Sequence, residues 1–228
     1  MPRHREADRS AIMSQTRERL LEAATAEFAR QGYEKANINH ISRAAGYAKG
    51  TVYNYFDSKR ALMLALIEAI AKMHFEALAE PIAREADPAR RLERFFEAGF
   101  AWVTENLDRA RVMFATLNGL DRAFKLHMYE AYQPLFQLVG RDIVAAGVEQ
   151  SLYRPVDPMA TANLLMTIYL GVGSQVNDEG KHWFTPDQVT DLLLDGLREP
   201  NPAHGKDPVD PISIAPSGFK ADELHRPT

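Results

Sequence analysis

Residues 37–56 read NINHISRAAGYAKGTVYNYF. This stretch decides the fold, because it spells two short helices, about 39–45 and 49–56, on either side of a tight turn. Gly46 sits at the turn and can take the left-handed conformation that ends a helix. Ile38, Ile41 and Ala45 can face a preceding helix, and the small Ala44 and Ala45 let two helices cross closely. Val52 and Phe56, four residues apart, fix the second helix to a core. Lys49, Thr51, Tyr53, Asn54 and Tyr55 are left for the outer surface. A cation, hydroxyls, an amide and aromatic rings suit phosphate oxygens and base edges in a DNA major groove. Gly50, with no side chain, lets the backbone approach a phosphate. Thr51 and Asn54 are suited to base readout, and Lys49 to a phosphate or a guanine edge. Tyr53 is divided between core and phosphate.

Working outward, a helix is expected at 16–30 with Leu20 or Leu21, Ala24 and Phe28 on one face and Gly32 as its stop. A long helix starts at Ser58 and carries Leu62, Leu66, Ile70 and Met73. It should end near Glu80, before Pro81. Three later starts pair an N-cap side chain with a proline at the first helical position: Asp87-Pro88, Asp157-Pro158 and Thr185-Pro186. Thr185 also has Gln188 at capping-box spacing. Helices follow at 88–106, 109–118, 122–147 (kinked at Pro134), 158–176 and 186–198. No stretch alternates as a strand would, so the expected class is all-α.

Four segments result: a flexible basic arm at 1–15, a DNA-binding head at 16–59, a helical body at 60–199, and a tail at 200–228 with six prolines and no core of its own. Arg3, Arg5 and Arg9 of the arm are open to two readings, minor-groove contact or a solvated terminus.

The chain of 228 residues is 46% hydrophobic and 25% charged, enough for a sizeable core. The first 60 residues carry a net +4 and the rest −8, so one end alone is suited to a polyanion. There is no cysteine, which excludes disulfides and thiolate metal sites. The seven histidines are scattered without metal-ligand spacing, no nucleophile elbow or phosphate loop is present, and neither an enzyme, a cofactor nor a metal is expected. No apolar run reaches membrane-spanning length, and the first residues lack a secretory core, so a cytoplasmic protein without membrane contact is expected.

The region Thr16–Ile70 resembles the amino-terminal domain of the TetR/AcrR family of bacterial regulators. The matching residues are Thr16-Arg17, Ala23-Ala24, Phe28, Gly32-Tyr33, Ile38, Ile41, Ala44-Ala45-Gly46, Lys49-Gly50-Thr51-Val52-Tyr53, Tyr55-Phe56, Ser58-Lys59 and Leu62. The resemblance implies a three-helix head, an all-helical body that dimerises, and a small-molecule effector. It places Asn37 at the start of the second helix and Lys59 at the start of the fourth, both against phosphate. It places Lys49, Gly50, Thr51, Tyr53, Asn54 and Tyr55 on the recognition helix. Two positions depart from the pattern: Ala48, which cannot cap as serine does, and Tyr47, larger than the usual aliphatic residue.

The body is less explicit. Phe96, Phe100, Met113, Phe114, Leu117, Met128, Tyr132, Phe136, Met166 and Tyr169 can line a mouldable apolar pocket, with Gly99 and Pro134 leaving space. Asn118, His127, Tyr132 and Tyr169 are the candidate polar anchors. Two adjacent helices carry more apolar surface than one core stripe needs, which marks Leu164, Ile168, Val172, Val189, Leu193 and Leu197 as a homodimer interface. The expected function is a ligand-responsive regulator, a repressor released from a palindromic double-stranded operator by an apolar or amphipathic molecule. The alternatives are an activator with the same head, or a helical ligand carrier or enzyme that has lost DNA binding.

Overall fold

The computed structural model describes residues 2–119, 122–175 and 181–197, with the backbone alone for 2–9. The expected tail at 200–228 lies outside the described residues. Among those described, the chain is helical and has no strand element.

The first helix, α1, runs Pro2–Lys35 and changes direction at Gly32, whose φ of 71° is left-handed. The expected arm at 1–15 is therefore corrected: its backbone continues α1 from Pro2. The physical reason is visible in the sequence, since 3–15 holds no glycine or proline and several strong helix formers. Helices α2 (Ile38–Ala44) and α3 (Lys49–Tyr55) follow, joined through Gly46 at φ 81°. Helix α4 (Lys59–Ala83) starts on a cap in which the Ser58 side chain accepts the Ala61 N–H. Leu20, Ala24, Phe28, Ile38, Ile41, Val52, Phe56, Leu62 and Leu66 are buried together as the core of the head.

Pro81 does not end α4. It costs one backbone hydrogen bond in the last turn, but Ile82 is buried and Arg84 N–H still reaches the Glu80 carbonyl, so the helix runs to Ala83. Along α4, positions four apart from Leu62 to Ile82 all point inward: Leu62, Leu66, Ile70, His74, Leu78 and Ile82. The inward residue of the fourth turn is thus His74, whereas Met73, expected there, is exposed.

The short link 84–87 returns the chain as α5 (Pro88–Glu105), which packs along α4. Asp87 caps α5 by accepting the Ala89 N–H at 2.8 Å. Helix α6 (Leu107–Gly119) lies against α1 as well as the body. The single kinked helix expected at 122–147 is four pieces: α7 (Arg122–Ala131), α8 (Gln133–Leu138), a π-helical turn (Val139–Ala145) and α9 (Ala146–Glu149). Pro134 takes the first turn of a new helix, where its missing donor is harmless, and the break falls at Tyr132. Helices α10 (Pro158–Gly173) and α11 (Pro186–Leu197) begin on the expected caps. Asp157 accepts the Ala160 N–H, and Thr185 and Gln188 form a reciprocal box.

Two expected interface residues are corrected here. Val189 and Leu197 are buried within the protomer, because the inner face of α11 packs on α5. Leu164 and Leu192, 59% and 77% exposed, carry the outward apolar surface, with Ile168, Val172 and Leu193 half-buried beside them.

Gly99 was expected to leave space, and Tyr169 occupies it. A Cβ at Gly99 would lie 2.5 Å from Tyr169 Cε2. Gly99→Ala should therefore overpack the body and destabilise it by about 1–3 kcal/mol, read as a lower urea midpoint at unchanged slope.

Candidate functional site

The outer face of the head is set by how α3 is held. Val52 and Phe56 face inward, which turns Lys49, Gly50, Tyr53 and Asn54 to solvent and leaves Thr51 and Tyr55 half-buried at the edges. Lys49 Nζ stands 6.0 Å from the centre of the Tyr53 ring. Ala48 makes no side-chain cap, as its chemistry requires. Tyr47 instead ties the turn to α1, its hydroxyl donating to Thr16 Oγ1 at 3.3 Å. Arg17 covers the Phe56 ring at 5.5 Å. The six residues assigned to the recognition helix are thus brought onto α3, with Lys49, Gly50, Tyr53 and Asn54 exposed.

Asn37 caps α2, its side-chain oxygen accepting the Asn39 N–H at 2.8 Å. Its own N–H donates to Glu27 Oε1 at 3.2 Å, so a buried carboxylate on α1 positions the start of α2. Burial alone would raise the Glu27 carboxyl. The Arg30 guanidinium 2.6 Å away, the Asn37 N–H and His40 outweigh it and hold the group below the usual carboxylate range.

Lys59 is placed differently from its expected role. Its ammonium donates to the carbonyls of Tyr33 (2.8 Å), Glu34 (3.0 Å) and Ala36 (3.4 Å) and lies 4.7 Å over the Tyr33 ring. An ammonium has three donors, and here three carbonyls take them. Lys59 therefore closes the orphan carbonyl end of α1 after the Gly32 kink and locks it to α4. Next to it, Phe124 of α7 meets the Tyr33 ring edge-on at 4.9 Å, with Arg60 4.7 Å over its own ring. This cluster joins the head to the body.

Beyond that joint, α6, α7, α8 and α10 surround a cleft with about 20 Å³ of free space. Met113, Leu117, Met128, Tyr132, Phe136 and Met166, all expected, line it together with Tyr129 and Leu170, which were not. Phe96, Phe100 and Tyr169 are buried in the core and Phe114 is half-buried; none of the four lines the cleft. Of the candidate anchors, Asn118 is exposed and turns back to the Phe114 carbonyl, and His127 lies 3.2 Å from Glu68.

The sequence reading missed His74. It is fully buried, stacks on Trp102 at 4.1 Å, and bridges two phenols: Nδ1 is 3.1 Å from Tyr132 Oη and Nε2 is 2.9 Å from Tyr169 Oη. Tyr169 Oη also reaches the Gly99 carbonyl (3.1 Å), and Tyr132 Oη reaches Met113 Sδ (3.0 Å). Burial lowers the imidazole to about 3 and lifts both phenols well above their usual range, so all three are neutral. The four-residue spacing from Leu62 was the available signal. Among the described residues no His, Asp and Glu group is set to hold a metal, and no helix is long and apolar enough to cross a membrane.

A small α3 held on a buried scaffold, turned outward with cation, amide and phenol, has the geometry of the second helix of a helix-turn-helix. Residues 20–66 match the family described as "Bacterial regulatory proteins, tetR family". That match covers the head and the start of α4. It is 30% identical over 104 residues to the uncharacterized HTH-type transcriptional regulator YdgC of Bacillus subtilis, covering 44% of this chain and about half, 53%, of that relative. It is 27% identical over 146 residues to the HTH-type transcriptional repressor KstR2 of Mycobacterium tuberculosis, covering 60% and 68%. Among solved structures, the fatty acid degradation regulator FadR of Bacillus halodurans superposes with a TM-score of 0.71 at 21% identity, over 79% of this chain and 99% of that one.

Two outcomes test the geometry. Lys59→Ala should lower stability by roughly 1–3 kcal/mol in chemical denaturation, because three carbonyls lose a charged donor at once. His74 also makes stability depend on pH. The unfolded chain takes up a proton near pH 6.5, whereas the folded imidazole resists until about 3. Stability should therefore fall as pH drops through that window, by up to roughly 1.4 kcal/mol per pH unit from this group. His74→Phe should flatten the slope between pH 4 and 6, and an unchanged slope would refute the assignment.

Proposed function

We propose that this protein is a ligand-responsive transcriptional repressor that binds a palindromic operator as a homodimer. The observation that carries the reading is the open face of α3, where Lys49, Tyr53 and Asn54 stand exposed on a head whose inner face is fully packed. Two such heads would occupy successive major grooves, roughly 34–36 Å apart. The outward apolar surface of α10 and α11, with Leu164, Ile168, Val172, Leu192 and Leu193, supports pairing of two copies. Repression is supported by the likeness to KstR2, a repressor.

The response to a ligand is supported by the way one helix touches both ends. On α7, Phe124 packs in the head joint and Met128, one turn later, lines the cleft. A molecule that opens the cleft must displace Met128 and its neighbours, and α7 carries that displacement to Tyr33 and Arg60. The ligand shifts the balance of head positions only by as much as it prefers the opened state.

Selection of bound sequences from random duplex DNA should return an inverted repeat, and affinity for it should fall linearly with salt on logarithmic axes. Lys49→Ala should weaken all sequences alike and make that slope shallower. Asn54→Ala should instead reduce discrimination among operator variants, by about 1–3 kcal/mol at the base it reads. Absence of any salt-dependent binding to duplex DNA would sink the proposal.

A further inference from the structure

We propose that the stretch of α1 before Thr16 is a second DNA-binding element: a helix that lies along the sugar-phosphate backbone beside the groove entered by α3, with Arg5 and Arg9 set against phosphates. The inference rests on the reading of α3 as the recognition helix.

Thr16 fixes where this stretch begins. It is buried, and Tyr47, in the turn that precedes α3, reaches its hydroxyl at 3.3 Å. The next residue, Arg17, lies 5.5 Å over the ring of Phe56, which ends α3. One turn of α1 therefore touches both ends of the helix whose outer face is open to DNA. Residues 10–15 are all exposed, including Ile12 at 63% and Met13 at 51%. The helix thus leaves the packed head at the flank of α3. With a rise of about 1.5 Å per residue, position 9 stands about 10 Å beyond Thr16 along the axis and position 5 about 16 Å. The major groove is about 12 Å wide, so a helix that departs from the flank of a seated α3 comes level with the bordering backbone over that distance. This continuity with α3 decides the occupant.

Helical register sorts the charges. At roughly 100° per residue, positions 5, 9, 12 and 16 fall within about 60° of one another. Arg5, Arg9 and Ile12 therefore share the row of Thr16, the row that meets the turn before α3. Asp8 and Glu6 fall to either side, about 70° and 90° from its middle. Two like charges four residues apart weaken an isolated helix. Facing phosphates removes that penalty. Duplex DNA, with one negative charge per about 1.7 Å of axis, supplies the counter-charge whatever its sequence.

The test uses the full chain and the inverted repeat returned by selection from random duplex DNA. Affinity is measured between about 50 and 200 mM salt, where each neutralised phosphate adds about 0.9 to the slope of log K against log salt. Arg5→Ala with Arg9→Ala removes two contacts from each protomer of a dimer. The slope should become shallower by roughly 3–4, and affinity at about 100 mM salt should fall roughly tenfold or more. Discrimination among operator variants should be kept, because backbone contacts carry no sequence information. Arg84→Ala with Arg90→Ala removes the same charge from exposed positions on the body and should leave the slope unchanged. Ala11→Pro, at an exposed position, keeps both arginines but breaks the helix between them and Thr16. It should weaken binding nearly as much as the double variant. A slope unchanged by the loss of Arg5 and Arg9, or reduced equally by the body variant, overturns the proposal and leaves α3 as the DNA-binding element. A full slope in Ala11→Pro overturns the helical placement. If the parent chain shows no salt-dependent binding to duplex DNA, the reading of α3 falls and this inference with it.

Discussion

Helix α4 has to satisfy two cores with one row of side chains, and the rest of the structure depends on that constraint. Leu62 and Leu66 close the head, while Ile70, His74, Leu78 and Ile82 enter the body. Because the row is continuous, the two cores share one rigid axis. Each fully buried aliphatic in it contributes about 1.5–3 kcal/mol by leaving water. The polar residues on this axis sit at its two working points. Lys59 fastens the start of α4 to the end of α1, and His74 fastens its middle to α5, α8 and α10 through Trp102, Tyr132 and Tyr169. Neither is a surface charge pair of the kind that contributes little. Both answer groups that would otherwise be left unpaired, and that is where removal is costly.

The head was largely legible because its determinants are local. Gly46, the Asn37 cap, Val52 and Phe56 each act within a turn of their own position, so spacing alone places them. The three proline-marked helix starts were legible for the same reason. What escaped the sequence was long-range. Lys59 reads as a cation near DNA, and only the kink at Gly32 brings the carbonyls of Tyr33, Glu34 and Ala36 to it. His74 reads as one of seven scattered histidines until the row from Leu62 is extended past Ile70. Val189 and Leu197 are apolar residues on a helix with two apolar sides, and spacing does not say which side meets α5. Gly99 reads as a void, but a glycine inside a packed helix pair equally invites a large partner, and Tyr169 fills it.

The body shows why a nearly closed cleft suits a switch better than an open one. A cavity equally open in both head positions would bind a ligand equally in each, and such binding shifts no equilibrium. On the proposed reading, a ligand would have to displace Met113, Met128 and Met166, which α6, α7 and α10 contribute to the cleft. One of these, α7, reaches the head joint through Phe124. The work of opening is therefore done on the same helix that positions Tyr33 and Arg60. The rigid polar row behind the cleft plays the opposite part. Tyr132 is held by His74, and Tyr169 is held by His74 and the Gly99 carbonyl, so that wall is tied by hydrogen bonds that the methionine side lacks. With one wall fixed on α4, α5 and α10, displacement is directed toward α6 and α7. Those are the helices that meet α1 and α4 at the head: α6 through Arg109 on Glu22, α7 through Phe124. On that reading the buried imidazole is the stop against which the rest of the body would move.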